Sequence, residues 1–165
     1  ALAGNSTWHE RQTGVTDNSW RVNSIVSAYG KLLVGDALGG NIGYIDKTSY
    51  TEYGDVMYQE KASKPFSGGG LPLFAGEMQL TMESGVGLAN GQGSDPVIRM
   101  DFSDDGGRTF SSEFSRSYGK IGEYMSLPTW RRQGRIPKHR VLRFKTSEPV
   151  KSVIIKLEAN IAAGL

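Results

Sequence analysis

The sequence predicts an all-β protein: propeller-blade-like antiparallel strands followed by a C-terminal β-sandwich. Three observations carry that prediction. Apolar residues recur at period two in short segments, as they do where a strand buries one face. Glycine is frequent, 22 of 165 residues, against a usual ~7%, and it falls between those segments, where turns need it. No segment shows a convincing helical period.

Taken in order, residues 7–12 (TWHERQ) are expected as a short strand. In 20–29, Trp20, Val22, Val26 and Ala28 fall on one face, with Arg21, Asn23 and Ser27 opposite. Gly30 allows a tight turn, and 31–34 is a compact apolar run closed by Gly35-Asp36. Gly39-Gly40 marks another turn, 42–45 another strand, and 51–60 the next, with Val56 and Tyr58 on one side. "KLLVGD … NIGYID" has the form of one propeller blade: an inner strand, a turn, then a second strand ending in Asp. A lone blade cannot bury both of its faces. Residues 1–66 are therefore read as the end of a larger N-terminal body, and the opening Ala1 as the start of a trimmed or mature fragment.

Residues 63–70 (SKPFSGGG) combine Pro65 with three glycines and read as a linker, so a second domain is expected over 67–165. There Met78, Leu80 and Met82 share a face of 77–82, and 83–94 is a Gly-rich loop. Ile98, Met100 and Phe102 point one way from 97–102, with Arg99 and Asp101 opposite. A turn over 103–108 leads into a strand over 109–114, and 124–132 is a strand with Pro128 at an edge or bulge. Leu142 and Phe144 point inward from 140–145, and Val153, Ile155 and Leu157 share a face of 153–158. Two antiparallel sheets packed face to face would bury these stripes.

Composition excludes several classes. Hydrophobic residues are 38% and charged residues 22%, an ordinary folded balance. No apolar run approaches the roughly 20 residues of a membrane span, and no secretory pattern opens the chain. There is no cysteine, which rules out disulfides, thiolate nucleophiles and zinc-thiolate sites. His9 and His139 are far apart and lie in no metal-spaced motif, so no cofactor or metal is expected. The net charge of +2 hides an asymmetry: residues 1–119 hold nine basic and fourteen acidic side chains, and 120–165 hold ten and three. A basic end on an acidic body suits an acidic partner or nucleic acid; a strand-rich surface that gathers its cations is the plainer alternative.

The sharpest motif is Ser103-Asp104-Asp105-Gly106-Gly107-Arg108-Thr109-Phe110, which fits the Asp-box S-x-D-x-G-x-T-[FW]. Gly107 supplies the positive φ that a tight turn needs, Asp105 accepts backbone N–H groups, and Phe110 is expected to drop into the core. Ser103, Asp105, Gly107, Thr109 and Phe110 are thus read as structural. Calcium at Asp101, Asp104 and Asp105 is a lesser alternative, without EF-hand spacing. A carbohydrate-binding or sialidase-like protein would use Trp8, Trp20 and Trp130, or the arginines 131, 132 and 135 with Tyr118 and Tyr124. Arg131 and Arg132 are neighbours on a presumed strand, however, and would face opposite sides. His9-Glu10 reads as a solvated edge rather than a general base, and 85–93 lacks the Lys-Ser/Thr of a phosphate loop. The densest basic segment runs from Trp130 through Arg131, Arg132, Arg135 and Lys138 to Arg140. It is the candidate contact for a subunit, a partner or phosphates.

Three stretches together resemble a known family: "AYGKLLVGD … YTEYGDVMYQEKASKPF", "LTMESGVGLANGQGSDPVIRMDFSDDGGRTFSSEFSRSYGKIGEY" and "WRRQGRIPKHRVLRFKTSEPV". They are similar to the C-terminal part of the packaged-DNA stabilisation proteins, or tail hub proteins, of short-tailed bacteriophages. The resemblance implies a non-enzymatic protein of the virion tail, assembled in the host cytoplasm, with a propeller-like body before its C-terminal β-domain. It implies a ring of copies that seals the portal channel and retains packaged DNA. The implied partners are the portal-adaptor, tail needle and tailspike proteins; non-specific contact to DNA is an option read from the basic segment alone, and no membrane partner is expected because no apolar run is long enough to span one. It carries no catalytic residues over.

Overall fold

A computed structural model describes residues 10–15 and 18–164, which leaves Trp8, His9 and the first half of the strand expected over 7–12 outside the described residues. Every regular element described is a β-strand, and no helix is long and apolar enough to cross a membrane. By packing, the chain divides into two units, Ala1–Tyr58 and Gln59–Leu165.

In the first unit, β1 (Gln12–Thr13) pairs with β2 (Asn18–Ser19). β3 (Val22–Ala28), β4 (Lys31–Asp36) and β5 (Ile42–Tyr44) form an antiparallel meander. Tyr29-Gly30 joins β3 to β4 with φ of 53° and 70°, the two left-handed residues of a type I′ hairpin. Tyr53-Gly54 repeats the device between β6 (Thr51–Glu52) and β7 (Asp55–Val56), with φ of 51° and 90°. Residues 51–60, expected as one strand, are therefore broken by a hairpin. The stripe expected in 20–29 is not buried either. A register shift between Val22 and Ser24 interrupts its period, and Ile25 and Val26 are 53% and 59% exposed. The buried centre is Val34 with Asp36, whose carboxylate accepts hydrogen bonds from Arg21 at 2.8 and 2.6 Å. That guanidinium, with the Leu38 N–H, holds the Asp36 carboxyl well below the usual range.

The second unit contains β8 (Gln59–Ala62), β9 (Phe66–Ser67), β10 (Leu73–Met82) and β11 (Val97–Ser103). They are followed by β12 (Phe114–Ser117), β13 (Thr129–Ile136), β14 (His139–Thr146) and β15 (Ile154–Ala163). One antiparallel sheet runs β13-β10-β15; the other runs β12-β11-β14-β8, with β9 also paired to β14. Met78, Leu80 and Met82 of β10 and Trp130 and Ile136 of β13 share one core with Ile98 and Met100 of β11 and Leu142 and Phe144 of β14. The Trp130 and Phe144 rings meet at 5.7 Å and join the two sheets. The stripes read in 77–82, 97–102 and 140–145 supply this core, with Phe102 half-buried at its margin.

Four expectations are corrected. The stripe Val153, Ile155, Leu157 does not exist, because the β10–β15 register shifts between Thr81 and Met82. Ile155 becomes the extra residue of a bulge and is 67% exposed, while Ile154 and Leu157 pack on the core. Residues 109–113 lie outside the ladder, and β12 starts only at Phe114. β13 starts at Thr129, directly after Pro128, whose carbonyl accepts the Leu80 N–H at 3.0 Å. Residues 63–70 are not a free linker. The Ser63 N–H donates to Leu142 O at 2.8 Å, and Phe66–Ser67 pairs with Arg140 and His139. The division by packing accordingly falls eight residues before the boundary read at 66/67.

A second irregularity lies at Gly76. Ala75 pairs with Gly134 and Ile161, whereas Glu77 pairs with Arg131 and Asn160. Both neighbours of β10 thus slip at the same point, and the inward parity changes between buried Ala75 and buried Met78. Among the described residues β15 pairs only with β10, so its outer edge is open along its ten residues.

Candidate partner-contact surface

The loop after β11 is organised by two side chains. Ser103 Oγ accepts the Gly107 N–H at 2.8 Å and donates to Asp105 Oδ1 at 2.7 Å. The Asp105 carboxylate also accepts the N–H groups of Arg108 and Thr109, at 2.9 and 3.0 Å, and the Thr109 hydroxyl at 2.6 Å. These donors hold its carboxyl well below the usual carboxylate range. Gly106 and Gly107 take φ of 82° and 94°, which a Cβ would strain. Phe110 does not enter the core. It is half-buried, and the Arg143 guanidinium lies 3.4 Å from its ring centroid.

Arg140 ties this loop to β13. It is 2% exposed and forks onto both oxygens of Asp104 at 2.7 Å. It also donates to the carbonyls of Gln133 and Arg135, at 2.7 and 3.1 Å, and lies 3.8 Å from the Phe102 ring centroid. Every face of this guanidinium is used inside the chain. Arg140 and Trp130 are therefore removed from the candidate contact set. Trp130 is fully buried, and its indole N–H donates to Phe114 O at 2.9 Å. Sequence alone could not separate these two from their exposed neighbours, because all lie in one cationic run.

The rest of the set is exposed: Arg131, Arg132, Arg135 and Lys138. Arg131 donates to Glu77 across the strands at 2.7 Å, and holds that carboxyl below its ordinary value with help from Gln79. No hydrogen bond or ion pair of the Arg132, Arg135 or Lys138 side chains is found among the described residues. Arg132 has φ of 57°, so the alternation that would place it opposite Arg131 is broken by the bulge.

The outer face of the β11–β14 sheet is sealed by charge rather than solvated. Asp101 is 2% exposed and binds Arg143 at 2.8 Å and Lys145 at 2.7 Å. Lys145 also binds Glu113, which reaches Arg99 at 3.6 Å. Burial opposes ionisation of Asp101, but Arg143 and Lys145 together outweigh it and lower its pKa. The carboxylates considered for calcium are thus divided among Arg143, Arg140 and the turn. The sialidase-like arrangement also fails to assemble. Tyr118 is buried, with its phenol pushed up to about 12 by burial, while Tyr124 is 71% exposed. Trp20 donates to Glu52 at 2.8 Å beneath Arg11.

Two antiparallel sheets closed over one apolar core, with ion pairs on the outer surface, make the second unit a β-sandwich. The chain belongs to the family described as Bacteriophage P22 Gp10, beta-sandwich, whose model matches residues 68–162. That membership places it among structural proteins of the bacteriophage tail. No curated protein sequence is matched by the chain.

Proposed function

We propose that this chain is the C-terminal part of a ring-forming hub of the phage tail, which seals the portal channel, retains packaged DNA and carries other tail proteins. Its partners in that role are copies of itself, the portal-adaptor protein, and the tail needle and tailspike proteins, with non-specific DNA contact through its cations. The observation that carries the reading is the family match over 68–162. Two features support it. Arg132, Arg135 and Lys138 stand exposed and, among the described residues, unpaired, as cations at an assembly surface do before their partner arrives. Val26 and Ile42 remain exposed on one face of a three-stranded sheet and Ile25 on the other, as faces that neighbouring sheets of a larger propeller body would cover. A plug of this kind is held by many subunit contacts, and needs no deep active site.

The test is genome retention. Filled heads made without this gene product are expected to release DNA to DNase, and added full-length protein to restore protection. Heads that hold their DNA without it would overturn the reading.

A further inference from the structure

The bulge at Gly76 opens a surface groove of about 370 Å³ on the three-stranded sheet. Its apolar side chains are those of Phe74 and Ala162, and Asn160 and Arg132 supply its polar groups. Arg132 is the unusual member. The other left-handed non-glycine residues, Tyr29 and Tyr53, belong to the type I′ turns described above, where that conformation is required. Among the described non-glycine residues, Arg132 alone adopts it inside a strand, at φ 57°. A bulky L-residue there is disfavoured by its own Cβ, and among the described residues its guanidinium makes no hydrogen bond or ion pair that would hold it in place. The one carboxylate near it on β10, Glu77, is taken by Arg131 and Gln79. A left-handed arginine with a free fork beside an apolar groove is the observation from which a contact outside the chain is argued.

We propose that this groove docks an acidic segment of another protein chain, its carboxylate forked on Arg132 and a neighbouring apolar side chain laid on the Phe74–Ala162 floor. Charge complementarity selects the carboxylate, because an unpaired arginine presents a planar fork that fits it in two hydrogen bonds. The apolar floor selects a protein segment over a nucleic acid, whose phosphates would gain nothing from it. The proposal concerns one groove and one partner chemistry, and stands or falls separately from DNA retention.

The experiment uses the full chain and an array of synthetic peptides in which Asp or Glu is flanked by Leu or Phe. Matched Asn and Gln peptides and a duplex oligonucleotide serve as comparison probes. Acidic peptides are expected to bind, and the amide peptides to bind weakly. Arg132→Gly should lower affinity by about thirtyfold without lowering the melting temperature, because glycine adopts this φ freely. Gly76→Leu is the second variant: a Cβ there would meet only Asn160 O, at 3.8 Å, so the added side chain fills the groove while the strand stays in place. It too should abolish peptide binding. Equal binding of acidic and amide peptides, retention of the oligonucleotide alone, or no binding of any peptide would each overturn the proposal. So would a large fall in melting temperature for Arg132→Gly, which would assign the guanidinium a role within the fold.

Discussion

Asp105 shows how one carboxylate can fix a ten-residue connection. It accepts from the Ser103 hydroxyl, from two backbone N–H groups and from the Thr109 hydroxyl. An asparagine in its place would set an N–H₂ group against some of those donors, so Asp105→Asn is expected to lower the melting temperature. The pH dependence of that loss follows from the sign of the shift. The folded-state pKa lies below the unfolded value near 3.8, so the stabilisation is fully present above the unfolded value and is lost as the pH falls through the folded one. The difference between wild type and variant should therefore be flat from about pH 5 to pH 8 and shrink below about pH 4. Melting curves across that series check it; a difference that changes near neutrality would point to another group.

Elements were legible in the sequence where alternation ran unbroken. Met78, Leu80 and Met82, Ile98 with Met100, and Leu142 with Phe144 all occupy the core read from their period. The missed strands share a physical cause, bulges and turns that change parity without a strong residue signal, whereas the misread linker is held by pairing to β14, far away in sequence. Ile155 sits among Val153, Ile154 and Leu157, and nothing in that run says which residue the ladder skips. The bulge makes a direct prediction. Leu157→Ala should cost about 2 kcal/mol in urea unfolding, as a truncated core side chain does, whereas Ile155→Ser should stay within about 0.5 kcal/mol. Equal costs would restore the simple alternation. The candidate contact segment was legible as a cationic run over 130–140, but its sorting was not. Burial of Trp130 and Arg140 depends on partners such as Asp104 and Phe114, which lie far away in sequence.

At the scale of the whole molecule, the sandwich begins earlier than its best-matched stretch. The family match opens at residue 68, yet β8 and β9 both pair with β14. A chain covering 59–165 is expected to unfold cooperatively, and one covering 68–165 to be less stable by at least about 2 kcal/mol, through lost ladder bonds and uncovered apolar surface. Equal unfolding midpoints in urea would show that β8 and β9 are accessory. The open edge of β15 has a different consequence. An unpaired ladder ten residues long is a template on which another strand can grow, and sheets that present one must guard against fibres. Here the guard is built from what the register leaves exposed: the kink at Ile155, the partner slip at Gly76, and the Lys156–Glu158 pair at 2.7 Å on the strand. An incoming strand would meet two bends and a pair of charges before it could zip, which opposes growth of a ladder along this edge.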